Sequence, residues 1–188
     1  MKKIILASAS PARRKLLEEA GFTVTIQPTN VDETALADET PEAHVQRLAY
    51  AKADKVRTRG LQAATIVAAD TVVVLGSEII GKPRDAAHAR EILQKLSGKT
   101  HRVLTGLCVR ILSGDDEEML LELAETKVTF RNISAEEISS YLQTEEWCGR
   151  AGAYGIQNKT CDFVAGVEGS VSNVIGLPME ILREMLNP

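Results

Sequence analysis

The sequence is short of the residues that mark several large protein classes. Only three of its 188 residues are cysteines, and Cys108, Cys148 and Cys161 stand far apart with no CxxC pair. An odd, scattered set argues against a disulfide framework or a cysteine zinc site, and the thiols read as buried or incidental. Aromatic residues make up 4%, with one Trp, three Tyr and three Phe, which leaves a base-stacking platform unsupported. A basic excess is missing as well: 22 Lys and Arg face 26 Asp and Glu, for a formal net charge of −4. That balance argues against a nucleic-acid partner, although net charge says little about any one cleft. No run approaches the roughly 18 apolar residues of a membrane span. The apolar stretch in MKKIILASAS stops at Ser8 and passes into a charged helical pattern, so it does not read as a signal peptide. The expected protein is cytoplasmic, with neither membrane nor nucleic acid among its partners.

What is present is enough for a core. Hydrophobic residues reach 44% and charged residues 26%, the balance of a folded domain. The length suits one large domain or two small ones, and without a linker or repeat the chain reads as one domain over 1–188 with two lobes. Strand and helix signals alternate. Lys3 to Ala7 reads as a strand, Ser10-Pro11 as a capped helix start closed by Gly21, and Thr23 to Gln27 as a second strand. Thr40-Pro41 opens a longer helix with an expected apolar face of Ala43, Leu48, Ala51 and Val56, ending near Gly60. Thr65 to Leu75 is a buried strand that turns at Gly76-Ser77 and returns through Ile80. Asp85 caps a helix to Leu96, and Arg102–Leu112 with Glu118–Arg131 predicts a β-hairpin. Ser134 and Glu137 form a capping box. A glycine-rich loop at Gly149–Gly155, a strand near Phe163, a loop from Gly166 to Gly176 and a helix after Pro178 complete the chain. This order predicts an α/β fold: a mixed, extended sheet flanked by helices.

Polar clusters fall at strand ends and loops. Ser8-Ala-Ser-Pro-Ala-Arg13-Arg14 stands at a strand-to-helix junction, where helix N–H groups, hydroxyls and Arg favour an anion. The alternative is a plain cap followed by a solvated basic face. Asp70 interrupts the run from Ile66 to Val74, where a carboxylate is costly unless paired, hydrogen-bonded or metal-bound. Asp32-Glu33 adds two loop carboxylates. Gly76 to Lys82 superficially fits GxxxxGK, but Pro83 follows and the segment reads as a hairpin, leaving Lys82 as a phosphate ligand at a hairpin tip. Ser97-Gly-Lys-Thr100 fails the same test, because Leu93 stands where the first glycine is needed. His44, His88 and His101 lack metal-ligand spacing and read as surface residues or as support for a site. The Gln157 amide, beside Gly155, could read a ligand edge.

Together these segments resemble the Maf family of nucleoside triphosphate pyrophosphatases, also called septum formation inhibitors. The resemblance runs in order through LASASPARRKLLEEAG, VDE, RLAYAKA, VAADTVVVLGSEIIGKP, LSGKTHRVLTGL, GRAGAYGIQ and GSVSNVIGLP. It implies a fold similar to inosine triphosphate pyrophosphatases, two lobes with a central cleft, and hydrolysis of a nucleoside triphosphate to monophosphate and diphosphate. It also implies a divalent cation, Mg²⁺ or Mn²⁺, and a homodimer. By motif position, Ser8, Arg13, Lys52 and Lys82 would hold phosphate, Asp70 would be the catalytic base, and Glu33 with Asp70 would hold the metal. Thr71 and Gln157 match the branch that resembles dTTP/UTP pyrophosphatases, whereas a 7-methyl-GTP branch tends to Gln and Glu there. SPARR departs from the pyrimidine branch's usual SPRR, so Ala12 stands in place of an Arg and base choice could be broader. Two other readings stand beside the enzyme. A nucleotide-binding regulator of cell division is disfavoured by the retained buried carboxylate, and a P-loop NTPase by Pro83.

Overall fold

The computed structural model describes residues 2–157 and 162–187, so Cys161 lies outside the described residues. In chain order the elements are β1 (Lys3–Leu6), α1 (Pro11–Glu19), β2 (Thr23–Ile26), α2 (Pro41–Asp54), β3 (Ala63–Leu75), β4 (Glu78–Ile80) and α3 (Ala86–Leu96). There follow β5 (Thr100–Ser113), β6 (Asp116–Phe130), α4 (Ala135–Leu142), a 3-10 turn at Ala151–Ala153, β7 (Val164–Glu168), α5 (Val171–Ile175) and α6 (Met179–Leu186). The strands form one sheet in the order β2-β1-β3-β5-β6-β7, with β4 paired to β3. Pairing of β1 with β2 and β3 is parallel, while β3 with β4 and β6 with β7 are antiparallel. This is the mixed sheet flanked by helices that the alternation of signals predicts.

The helix starts follow their caps. Ser10, Thr40, Asp85 and Ser134 each accept the N–H three residues on, from Arg13, Ala43, His88 and Glu137. Each such cap is worth about 1 kcal/mol. The capping box at Ser134 is complete, with the Glu137 carboxylate accepting from the Ser134 N–H.

Three expectations are corrected. α2 stops at Asp54 rather than near Gly60, because the buried Arg110 guanidinium takes the carbonyls of Ala53 and Asp54 at 3.3 and 3.0 Å. A cation at those last carbonyls also complements the helix dipole. The buried face of α2 is His44, Val45, Leu48, Ala49, Lys52 and Ala53, and Ala43 is exposed. Finally, the expected loop at Gly166–Gly176 holds the end of β7 and α5; Ser170 fixes the helix start by accepting the Asn173 N–H at 3.1 Å.

The chain divides into two compact units. The first comprises Met1–Asp70, Thr105–Ala124 and Gly176–Pro188. Its strands alternate sides, as pleating requires. Ile4, Leu6, Val67, Ala69, Leu107 and Val109 pack with Leu17 of α1 and Met179, Leu182 and Met185 of α6. On the other face Ala7, Ile66, Ala68 and Cys108 pack with Ala49 and Ala53 of α2. The close fit of α2 depends on Gly106, where a Cβ would fall on the Val45 backbone carbonyl.

The second unit comprises Thr71–Leu104 and Glu125–Ile175. Its core joins Ile92, Leu93 and Leu96 of α3 to Ile138 and Leu142 of α4 and to much of the chain's scarce aromatic content. Phe130 packs edge-on against His101, Tyr154 and Phe163, with ring centroids 4.9, 4.8 and 6.1 Å apart. His101 is thus a core residue and not one at the surface. Its Nε2 meets the Tyr154 hydroxyl at 2.9 Å, while its Nδ1 has no hydrogen-bond partner among the described residues. Burial pulls its pKa from the ordinary 6.5 down to about 4.

Gly106→Ala should destabilise the protein by at least about 2 kcal/mol in denaturant unfolding, because a backbone carbonyl cannot swing aside as a side chain can. His101 gives a pH signature. The unfolded chain protonates it below about 6.5, but the fold resists until about 4. Stability is therefore untouched above pH 6.5 and falls as pH drops through that window, by on the order of 3 kcal/mol at pH 4. Urea unfolding at pH 7 and pH 4.5 should show this loss, and His101→Phe should reduce it.

Candidate active site

The parity of β3 places Asp70 on the same face as Ile66 and Ala68, beneath α2. Helical spacing from Val45 through Leu48 and Ala49 turns Lys52 toward that face. The two meet: Lys52 Nζ donates to Asp70 Oδ1 at 2.6 Å, and the residues are only 8% and 9% exposed. The same ammonium lies 2.6 Å from Glu33 Oε1, whose side chain is 52% exposed. One buried cation thus holds two carboxylates from elements far apart in sequence. An ion pair this enclosed is weak evidence of net stability, but removing one partner leaves an uncompensated charge.

Arg13 brings a second cation. It sits in the first turn of α1, where Ser10 accepts its backbone N–H at 3.4 Å. Its Nε donates to the Gly176 carbonyl at 2.7 Å and its Nη1 to the Ser8 hydroxyl at 3.2 Å. Ser8 Oγ also accepts the Ser10 N–H at 3.2 Å. Burial lowers the Arg13 pKa, and the pull of Asp70 and Glu33 opposes it, so both carboxylates are within electrostatic reach of the guanidinium. The first unit therefore gathers Ser8, Arg13, Glu33, Lys52 and Asp70. Ala12, beside Arg13 in α1, is half-buried.

The remaining predicted residues belong to the second unit. Thr71 is the next residue of β3 and is half-buried, and Gln157 is exposed. Gln157 follows a tightly built loop in which a Cβ on Gly155 would strike the Arg150 guanidinium. Lys82 is exposed and follows Ile80, the last residue of β4, so it stands past the hairpin's return strand and not at its tip.

Sequence reading missed the group around Glu39. Its side chain is 6% exposed and meets Arg47 Nε and Nη2 at 2.5 and 2.8 Å and His44 Nδ1 at 2.9 Å. The signal was the i, i+3 spacing of His44 and Arg47 one turn into a helix that begins just after Glu39. A cavity of about 590 Å³ in the same unit is lined by Lys3, Arg57, Arg59 and Leu61 among others, and by none of the five gathered residues. Among the described residues no group of three or more His, Cys, Asp or Glu could hold a metal by itself. Nor is any described helix long and apolar enough to cross a membrane.

Two carboxylates and two cations beside a helix N-terminus make a grouping suited to a phosphate-bearing ligand. A family model described as Maf-like protein matches residues 3–188, and the chain belongs to that family. A Myxococcus xanthus protein described as a dTTP/UTP pyrophosphatase is 49% identical over 94% of this chain and 87% of its own length. One of the same description from Pyrococcus furiosus is 43% identical over 99% of this chain and 95% of its own. Among solved structures, a nucleoside-triphosphatase / dITP/XTP pyrophosphatase from Mycobacterium abscessus is similar at 17% identity with a TM-score of 0.47. It covers 98% of this chain and 93% of that one, a likeness too loose to assign a function.

Replacing Lys52 by Met should leave Asp70 enclosed without its cation and cost about 3 kcal/mol in denaturant unfolding. The double variant Lys52→Met with Asp70→Asn should recover part of that loss, since the pair acts as a unit.

Proposed function

We propose that this chain is a nucleoside triphosphate pyrophosphatase that hydrolyses the bond between the α and β phosphates, releasing monophosphate and diphosphate with a preference for dTTP and UTP. The observation that carries it is the convergence of Glu33 and Asp70 on Lys52, with Arg13 and Ser8 within reach at the start of α1. Family membership and the activity named for the relatives support the same reading.

The proposed roles follow from the chemistry. Arg13 and Lys52 meet triphosphate oxygens and stabilise the charge that grows on the leaving diphosphate. Ser8 and the N–H groups at the start of α1 fix the orientation of the phosphates. Asp70 accepts the proton of the attacking water, while the anhydride bond breaks and its electron pair leaves with diphosphate. Lys82 as a further phosphate ligand, and Thr71, Gln157 and Ala12 as determinants of base choice, rest on motif position.

The family resemblance also implies Mg²⁺ or Mn²⁺. Glu33 and Asp70 bring carboxylate oxygens, hard donors, to the same ammonium, and such donors suit a cation of this kind. Glu33 and Asp70 would hold it. When bound, the cation neutralises phosphate charge.

Diphosphate release over a panel of dTTP, UTP, CTP and 7-methyl-GTP with Mg²⁺ tests the proposal. Asp70→Asn should lower kcat by about 100-fold or more. Orthophosphate as product would overturn the assigned bond, and fastest turnover of 7-methyl-GTP would overturn the pyrimidine preference.

A further inference from the structure

Glu33 lies on a segment that apolar packing does not hold. Residues 32–38 are exposed, and Leu36 is 58% exposed. What fixes the segment is a set of polar ties. The Asp32 carboxylate accepts the Thr34 N–H at 2.9 Å. Arg47 Nη2 donates to the Thr34 carbonyl at 3.1 Å, and the Leu36 N–H donates to Glu39 Oε2 at 3.0 Å. A turn joining the Glu39 N–H to the Leu36 carbonyl at 3.2 Å brings Glu39 back, with Asp38 in the left-handed region at φ 59°. Arg47 and Glu39 grip each other through two parallel hydrogen bonds, the strongest neutralising geometry available to this pair. Closer to β2, Lys55 Nζ donates to the Asn30 carbonyl at 2.8 Å, and the Thr29 hydroxyl donates to the Lys52 carbonyl at 3.2 Å. The segment is thus pinned at intervals along α2, the helix that also carries Lys52.

From this we infer that Arg47 and Glu39 are a positioning pair for Glu33. They fasten the segment immediately after it, at Thr34 and Leu36, so that its carboxylate stays beside Lys52 and Asp70. Neither side chain hydrogen-bonds to Glu33, Lys52 or Asp70, although Arg47 lies within electrostatic reach of Asp70. The inference rests on the pyrophosphatase reading for its kinetic consequence, but its structural claim stands apart from it.

The test is a double-mutant cycle between Arg47→Ala and Glu33→Gln, followed by diphosphate release. In the wild-type background Arg47→Ala should lower kcat by about 10-fold to 100-fold with KM changed much less, because misplacing a positioned group costs rate. In the Glu33→Gln background the same change should cost less than about 2-fold, since the residue it positions no longer functions. Arg47→Lys should rescue only partly, because an ammonium lacks the guanidinium fork. An equal loss in both backgrounds would overturn the inference. Where Arg47→Ala fails to fold, Arg47→Lys and Glu39→Gln carry the same cycle. Amide hydrogen exchange separates this failure from that of the parent reading. With or without activity toward any nucleotide, Arg47→Ala should speed exchange at residues 33–37 by about 10-fold while the β3 amides stay protected. Unchanged exchange there would overturn the inference.

Discussion

The first unit is organised around one ammonium. Lys52 holds Asp70 and Glu33 at 2.6 Å each, and an isolated charge at that depth would be untenable. Asp70 comes from a strand, Lys52 from a helix and Glu33 from an exposed segment, so each element must arrive in register. β3 supplies the parity. α2 must approach the sheet closely, which Gly106 permits, and must end where Arg110 takes its last carbonyls. Packing, capping and charge therefore converge on the placement of one side chain.

Much of this was legible in the sequence. The four side-chain caps were read correctly because capping is local: a hydroxyl or carboxylate meets an N–H three residues on. Asp70 was conspicuous because a carboxylate in a run of Val, Ile and Ala demands an explanation. Helical spacing from Leu48 and Ala49 turns Lys52 inward, but an apolar face drawn through Ala43, Leu48, Ala51 and Val56 counts apolar side chains alone and so leaves a lysine out. Only the carboxylates on other elements make burying Lys52 favourable, and those are long-range facts. His101 escaped for a similar reason. Its place beside Phe130 and Tyr154 depends on strands and loops that no local pattern joins. The roles of Glu39 and Arg47 were hidden because the partners they fasten are backbone groups, which carry no residue signature.

The net charge of −4 argues against a nucleic-acid partner and says little about a single cleft. In the folded chain that number matters less than the pairing. Arg13 is drawn toward the same two carboxylates that Lys52 holds, so the site is balanced before any ligand arrives. A triphosphate entering with its own cation would take Arg13 and Lys52 as partners while that cation faced the carboxylates, so each group would still meet an opposite charge.

The central claim is that the triphosphate lies against Arg13, Ser8 and Lys52, beside the carboxylates that Lys52 holds. The most direct measurement is a crystal structure of Asp70→Asn with the non-hydrolysable α,β-imido analogue of dTTP. The account predicts triphosphate oxygens within hydrogen-bond distance of Arg13 and the Ser8 hydroxyl. A triphosphate seated instead in the cavity lined by Lys3, Arg57 and Arg59 would contradict it.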